Sequence, residues 1–435
     1  METQAPAAVA EAVLEPARTP DELAPDTAQP FTTGRTIRFG AGFMLFGLLW
    51  CVGLMIVAAV LLPQRLTDLG VAFPAAMLGT INAITAVVSL VSNLVVGNLS
   101  DRTRARFGRR TPWILGGAVL GGLSLTGVGL LESPVLLTVS YCLSMVGLNM
   151  MLAPAVAVLS DRVPMRLRGT MSALYGGGLV AGQALGTLIG AAFITNAVPG
   201  FVLGGALMLL GGVIALVLWP RELSAGNLPA NVGGFKELLV SFRPPRNAPD
   251  FYKAFVGRLL MLVSYQMITA YQLYIVQDHI GQSTKESAAT IATMSVITMI
   301  VSLLASVGAG PISDRIGRRK VPVVVASALF AVGIAMPWIM PTTTGMFLYA
   351  GIAGFGYGVY TSVDQALNVD VLPSVENAGK DLGILNLATT LGQTVGPILT
   401  STIVVATGTY AVAFPVAIAM ALLGCVFILK IRSVR

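Results

Sequence analysis

The sequence is poor in the residues from which catalytic and metal centres are built. It contains one histidine, His279, and three cysteines, Cys51, Cys142 and Cys425, among 435 residues. The cysteines all lie inside apolar runs without the spacing of a metal motif, so they are expected to pack as small hydrophobic side chains. The sequence therefore predicts no enzyme, no metal site and no cofactor.

Charged residues are also scarce. They make up 11% of the chain, against about a quarter in soluble proteins, while 55% of the residues are hydrophobic. The apolar residues form runs of about 20, which is the length of a helix that crosses a bilayer. The 48 glycines suit close helix packing in lipid. The composition predicts an all-α integral membrane protein that has the lipid bilayer as its partner.

Twelve such runs are predicted to span the membrane, in two bundles of six. The organisation is a disordered cytoplasmic tail (1–34), an N-terminal bundle (35–219), a polar linker (220–250) and a C-terminal bundle (251–435). The predicted spans are 39–62, 73–99, 112–131, 134–159, 170–196, 198–219, 251–277, 288–309, 321–340, 345–371, 382–406 and 410–429.

The basic residues that give the net charge of +7 lie in alternate loops. The loops that follow spans two, four, six, eight and twelve are rich in arginine and lysine, whereas the opposite loops hold only Arg65 and Lys285. By the positive-inside rule, this asymmetry predicts that both termini lie in the cytoplasm. It also explains the positive charge without a nucleic-acid partner. The expected location of this multi-pass protein is the plasma (inner) membrane.

Three sequence matches indicate that the two halves are repeats. The motif Gly-x-x-x-Asp-Arg at 97–102, followed by Gly-Arg-Arg at 108–110, returns at 310–315 and 317–319. Asp161 after span four corresponds to Asp370 after span ten, and a Gly-Gln-x-x-Gly segment occurs at 182–186 and again at 392–396. Three matches in the same order favour two related six-helix units.

The duplicated charged loop resembles the signature loop of the major facilitator superfamily. Its longer first copy, at 101–113, resembles the form found in glycoside–pentoside–hexuronide and sucrose-type carriers. The resemblance implies a transporter that works by alternating access. Sodium-coupled melibiose-type members carry acidic residues within their N-terminal helices, and spans one to six of this chain contain no mid-membrane acid.

The resemblance also implies a conformational latch at the cytoplasmic face. The glycines would permit close helix crossing, and the carboxylates would pair with arginine or with a helix N-terminus. The alternative is that the arginines only set topology. The candidate latch residues are Gly97, Asp101, Arg102, Arg109, Arg110, Gly310, Asp314, Arg315, Arg318 and Arg319.

Two charged residues stand inside predicted spans, where charge is costly and indicates function. Arg258 in span seven and Asp364 in span ten lie at a similar depth on the cytoplasmic side. We expect Asp364 to carry a coupling proton and Arg258 to control it. The alternative is a static ion pair that only ties the two helices together.

Polar and aromatic side chains recur on the helices that, by the resemblance, line a central cavity. On span seven, Arg258, Tyr265 and Gln272 recur every seven residues and share one helical face. Span ten carries polar residues at three- to four-residue steps. Span one has an aromatic face made of Phe39, Phe43, Phe46 and Trp50. Polar residues that only join helices, and aromatic residues that only pack, are the alternatives. The predicted substrate-binding residues are Trp50, Asn149, Tyr265, Gln272, Tyr360 and Asn368.

The leading functional hypothesis is proton-coupled transport of a small polar solute such as a sugar or glycoside, by a monomer. The alternative is an efflux carrier that exports a drug or secondary metabolite by proton antiport. A membrane-embedded enzyme lacks a nucleophile or metal constellation in this sequence. A channel is disfavoured because an acid and a base within a two-fold repeat suit alternating access.

Overall fold

The computed structural model describes residues 23–224, 245, 247–316, 319–373 and 378–432, apart from the side chains of 307, 310–314, 365, 366, 369 and 378–380. Within these ranges the fold is all-helical, with one isolated bridge between Leu23 and Pro30. The predicted linker lies largely outside the described residues, as do residues 1–22 of the predicted tail.

Twelve long helical segments follow one another in the described part of the chain, and we label them α1 to α12. The first six are α1 (Thr33–Asp68), α2 (Pro74–Arg102), α3 (Thr111–Leu130), α4 (Pro134–Arg162), α5 (Met165–Ala192) and α6 (Ala197–Leu218). The second six are α7 (Pro249–Thr269 with Gln272–His279), α8 (Thr284–Ile316), α9 (Lys320–Ile339), α10 (Thr343–Asp370), α11 (Ala378–Thr407) and α12 (Ala413–Leu429).

The twelve helices correspond one to one with the twelve predicted spans, so the predicted fold class is confirmed. Eight of the described helices are long and apolar enough to cross a membrane, and α7 makes a ninth if its two parts form one span. The other three are the glycine-rich α5, the polar α10 and the short α12. We call the end of the bundle that holds the loop at 103–110 and Arg319 the arginine-rich end, and the other end the far end.

The two halves pack in the same way. In the first half α1 contacts α5 and α6, α4 contacts α2 and α3, and α3 contacts α6. In the second half α7 contacts α11 and α12, α10 contacts α8 and α9, and α9 contacts α12. The main contacts between the halves are α2 with α11 and α5 with α8, which are equivalent pairs. The sequence repeat therefore corresponds to a structural two-fold repeat.

Glycines set the closest of these helix contacts. Gly182 and Gly186 of α5 lie against the backbone and Cβ atoms of α1, and their repeat equivalents Gly392 and Gly396 of α11 lie against α7. A side chain at these positions would meet atoms of the facing helix at about 3 Å or less. α5 thus has a tight packing face, as the abundance of glycine suggests, and this face has a counterpart in the second half.

The segment before α1 differs from the prediction. Residues 23–32 form a turn that packs on the arginine-rich end, so the predicted disordered tail is wrong for this stretch. Asp26 accepts a hydrogen bond from the Arg162 Nε at 3.1 Å, and the Phe31 ring stacks on Phe39 with centroids 5.2 Å apart. Arg162 is buried, so a carboxylate partner offsets the cost of removing its charge from water. Composition alone did not reveal this partner.

The first helix of each half is irregular near its middle. α1 has a π-helical stretch at Ile56–Leu61, and α7 bends by 49° between Thr269 and Gln272. Thr269 donates a hydrogen bond to the carbonyl of Tyr265 at 2.8 Å, which is a local interaction that favours bending. The prediction of one regular span over 251–277 is therefore wrong in detail.

Candidate functional site

An ion pair joins α7 to α10 inside the second half. Arg258 Nη1 lies 2.7 Å from Asp364 Oδ2, and the two residues are only 6% and 4% exposed. The contact is electrostatic, since it is not aligned as a hydrogen bond. Sequence reasoning had placed the two residues at a similar depth, and the structure brings them together.

The pair is surrounded by neutral polar groups. Arg258 Nη2 donates to Asn386 Oδ1 at 3.1 Å and to Thr389 Oγ1 at 3.2 Å, both on α11. Asn368 Nδ2 donates to Asp364 Oδ2 at 3.0 Å, one turn along α10. Asn368 was predicted to belong to the site. Asn386 and Thr389 were missed, although their three-residue spacing on an apolar helix was a usable signal.

Three tyrosines extend from the ion pair along α7 and α10. The Tyr265 and Tyr357 rings stack with centroids 4.0 Å apart and planes 10° apart, and Tyr360 follows at 6.5 Å from Tyr357. The Tyr265 hydroxyl accepts a hydrogen bond of 3.3 Å from Gln183 Nε2 on α5 of the other half. The predicted residues Tyr265 and Tyr360 therefore belong to one cluster, which reaches across the interface between the halves.

Two of the predicted substrate-binding residues lie elsewhere. Asn149 is buried between α4 and α2, where it accepts from Asn93 Nδ2 at 3.0 Å and donates to the carbonyl of Met145 at 2.8 Å. Both ends of its amide are thus occupied within the first half. Gln272 was expected on the same stripe as Arg258, but it lies beyond the bend of α7, next to Met294 of α8.

The aromatic face of α1 is largely a packing surface. Phe39, Phe43 and Phe46 are buried against Trp219, with ring centroids between 4.7 and 6.4 Å apart. The alternative of packing, which the sequence left open, therefore describes these three phenylalanines. Trp50 is half-buried and lies on the same helix nearer its middle.

Hydrogen bonds close the far end between the two halves. Tyr274 donates to the carbonyl of Pro63 at 2.8 Å, and Gln277 Nε2 donates to Gln64 Oε1 at 2.8 Å. The Tyr271 hydroxyl lies 3.1 Å from the carbonyl oxygen of Ala75. Among the described residues, the side-chain hydrogen bonds that join the halves lie at this end, apart from the bond between Gln183 and Tyr265.

At the arginine-rich end, the signature loop is tied to the ends of helices within its own half. Arg110 is buried and pairs with Asp101, and its Nη2 lies 2.9 Å from Asp161 Oδ2. Arg109 Nη2 reaches the same Asp161 oxygen at 2.8 Å. Arg319 pairs with Asp370 at 2.8 Å, which is the equivalent contact in the second half.

Glu222, which follows α6, was missed by the sequence reasoning. Its carboxylate accepts hydrogen bonds of 3.0–3.2 Å from the backbone N–H groups of Arg109, Arg110 and Thr111 at the start of α3. A carboxylate at a helix N-terminus satisfies donors that have no partner within the helix. The first residues of the connection between the halves are thereby fixed to the signature loop.

Among the remaining predicted latch residues, the structure describes Gly97, Arg102 and Arg315. Gly97 has no neighbouring atom within 4 Å of a Cβ placed on it, so the predicted close helix crossing is absent there. Arg102 and Arg315 are exposed. The surroundings of Gly310, the side chain of Asp314 and the whole of Arg318 lie outside what the structure describes.

The chain belongs to the major facilitator superfamily, because the profile of that family matches residues 39–282 and 259–435. It is therefore a membrane transporter for small molecules and not an enzyme. Within the described ranges, no group of three histidine, cysteine or acidic side chains is placed to hold a metal ion.

Three proteins of similar sequence were found. The chain is 26% identical over 320 residues to the "Fujikurins efflux protein" of Gibberella fujikuroi, which covers 70% of this chain and 62% of that protein. It is 27% identical over 318 residues to "MFS transporter asaE" of Aspergillus flavus, with coverages of 70% and 66%. A segment of 54 residues is 44% identical to "Uncharacterized symporter sll1374" of Synechocystis. The chain thus spans about two thirds of the fungal relatives.

Solved structures share the fold at low sequence identity. A bacterial homologue of the lysosomal transporter Spinster, in an inward-facing and unoccupied conformation, is 15% identical with a TM-score of 0.68, covering 92% of this chain and 96% of that one. The nucleoside transporter NupG is 12% identical with a TM-score of 0.74, covering 90% of this chain and 99% of that one. At such identities the likeness shows the architecture and not the substrate.

Proposed function

We propose that this transporter couples the movement of a small organic solute to protons, with Asp364 as the proton-carrying group and Arg258 as the group that controls it. The observation that supports this role is the buried ion pair between α7 and α10. It is the place among the described residues where an acid and a base meet inside the helical bundle rather than at one of its ends.

The physical argument concerns what happens when the pair separates. Leaving one charge of a buried ion pair without its partner costs about 3–5 kcal/mol. Protonation of Asp364 removes its charge, and Asn386 and Thr389 remain as hydrogen-bond acceptors for Arg258. A conformation that separates α7 from α10 therefore favours the protonated acid, and a conformation that brings them together favours proton release.

The solute that this geometry fits best is small and polar with some aromatic contact. Tyr265 and Tyr360 bring hydroxyl groups and aromatic rings close to the pair, and Gln183 adds an amide from the other half. Hydroxylated solutes such as sugars or glycosides match this set. The sugar-carrier form of the signature loop supports the same reading.

Export of a secondary metabolite is the second candidate. It is supported by a relative that is named as an efflux protein and matches 70% of this chain. Deleting the gene, then comparing growth on a panel of sugars with sensitivity to a panel of toxic compounds, separates the two candidates. Slower growth on one sugar supports uptake, whereas new sensitivity to one compound supports export and identifies the substrate for the vesicle test.

The coupling role is tested in vesicles with Asp364→Asn. A pH difference of one unit is worth about 1.4 kcal/mol for each proton, which corresponds to about tenfold accumulation. We expect the variant to lose this accumulation and to keep exchange of labelled for unlabelled substrate. Glu132→Gln removes an exposed carboxylate between α3 and α4 and serves as the control. Accumulation by Asp364→Asn at the wild-type level would falsify the proposal.

A further inference from the structure

Two glutamines occupy equivalent positions in the middle of α5 and α11. Gln183 follows Gly182 and precedes Gly186 by three residues, and Gln393 stands in the same way between Gly392 and Gly396. Both side chains are exposed, although both helices lie within a membrane bundle. An exposed carboxamide at mid-helix is unfavourable in lipid, so its surroundings require an explanation.

The flanking glycines fix the direction of both helices. Gly182 and Gly186 face α1, while Gly392 and Gly396 face α7. Each glutamine is one residue further along, which rotates its side chain by about 100° away from that contact. α5 contacts α8 and α11 contacts α2, so both helices lie at the boundary between the halves.

Contacts place Gln183 at the boundary between the halves and link the face of α11 that carries Gln393 to the ion pair. Gln183 Nε2 donates to the Tyr265 hydroxyl of α7 at 3.3 Å, across the boundary. On α11, Gln393 is two turns from Asn386 and about one turn from Thr389, both of which contact Arg258. The polar face of α11 therefore continues from the ion pair to Gln393.

We propose that Gln183 and Gln393 form a paired amide site, one from each half, that binds the neutral hydroxyl or amide groups of the substrate. This proposal rests on the transport function proposed above and specifies the class of substrate. A carboxamide both donates and accepts hydrogen bonds and carries no charge. A pair of carboxamides therefore favours a neutral solute that has adjacent hydrogen-bond donors and acceptors, and it provides no counter-charge to a cation or an anion.

The two-fold arrangement gives this site a mechanical role. Gln183 belongs to the first half and Gln393 to the second, so a solute bound to both glutamines bridges the two halves. Binding also exchanges the hydrogen bond between Gln183 and Tyr265 for one to the solute. Tyr265 stacks on Tyr357 of α10, the helix that carries Asp364, so the exchange occurs beside the coupling pair.

The test is equilibrium dialysis of the purified full-length protein with labelled 4-nitrophenyl glucoside, a neutral hydroxylated probe with an aromatic group, and with the cation tetraphenylphosphonium. We expect Gln183→Met and Gln393→Met each to weaken glucoside binding at least about tenfold, because methionine keeps the length and removes the hydrogen bonds. Gln282→Met, which removes an amide that donates to Thr343 at the far end, is the matched control and should bind like the wild type.

Several results overturn the proposal. Wild-type affinity in both methionine variants removes the glutamines from the site, and a wild-type protein that does not bind the glucoside refutes the substrate class. If the methionine variants aggregate, Gln183→Asn and Gln393→Asn replace them in the same dialysis. Their amide is one methylene shorter, and weaker glucoside binding is again the expected result. Dialysis needs no pH gradient, so this outcome does not depend on whether Asp364→Asn passes its accumulation test.

Discussion

Replacing Tyr274 by phenylalanine removes one hydrogen bond between the halves and keeps the aromatic ring and its packing. The hydroxyl donates to the carbonyl of Pro63 at 2.8 Å and is buried, so the bond closes the far end directly. A typical hydrogen bond contributes about 0.5–1.5 kcal/mol net. If the bond exists only when the far end is closed, its loss shifts the equilibrium toward the far-open state by about 2- to 13-fold.

A second substitution makes the expected shift larger. Gln277→Leu removes the donor to Gln64 at 2.8 Å, which is a separate contact of the same closed end. If the two contributions add, the double variant shifts the equilibrium by about 1–3 kcal/mol. Some loss of additivity is expected, since both side chains lie on the short outer part of α7.

The shift is measurable as a change in distance between the halves. In a variant without the three native cysteines, spin labels at Glu132 and Lys285 report the separation of the far-end loops by pulsed electron resonance. The population with the longer distance should rise in Tyr274→Phe and rise further in the double variant. Tyr252→Phe removes a comparable tyrosine-to-proline-carbonyl bond at the arginine-rich end and should leave the distribution unchanged.

An unchanged distance distribution in both variants would contradict the assignment of this contact as a conformation-dependent closure. It would mean that the far end stays closed through other contacts, or that the bond survives in both states. Loss of folded protein is separated from this outcome by size-exclusion chromatography of the same samples.

Three further predictions concern other parts of the protein. Asp161→Asn should reduce turnover more than substrate affinity, because Asp161 binds both arginines of the signature loop at a site distant from the ion pair. Transport kinetics in vesicles measure both quantities. Glu222→Gln should lower stability in detergent by about 0.5–2 kcal/mol, the usual range for a helix cap, and an unchanged melting temperature would contradict the capping role. Trp50→Ala should weaken glucoside binding if its ring stacks on the solute, and wild-type affinity would assign Trp50 to packing.

The sequence predicted the helices, and which helices of the two halves are equivalent, because both can be read from patterns along the chain. Apolar length locates each span, and the repeat shows which helices are equivalent, so the similar depth of Arg258 and Asp364 could be read directly. What it could not supply was the rotation of one helix about its axis relative to another. Asn386 and Thr389 contact Arg258 because α11 turns that face toward α7, and this orientation depends on glycine contacts made along the whole helix.

The errors have related physical causes. Gln272 was placed on the stripe of Arg258 by counting residues, and the bend after Thr269 breaks that count. The aromatic face of α1 was equally consistent with a cavity wall, and only the position of Trp219, directly after α6, decides for packing. Glu222 and Asp26 act through contacts with distant parts of the chain, and their local composition resembles an ordinary polar linker or tail.

The arrangement of charges at the arginine-rich end limits how a latch can work. Arg110, Asp101 and Asp161 all belong to the first half, and Arg319 and Asp370 both belong to the second. These contacts therefore cannot hold the two halves together in the conformation described. They fix the signature loop to the end of α4 or α10, and Glu222 fixes the start of the connection to the same loop. A latch built from these residues must act in one of two ways when the arginine-rich end closes. It presents a rigid signature loop to the other half, or it releases that loop from the end of its own helix. Either action changes the rate at which the two conformations of the transporter interconvert and leaves the substrate contacts intact, which is why Asp161→Asn is expected to lower turnover more than affinity.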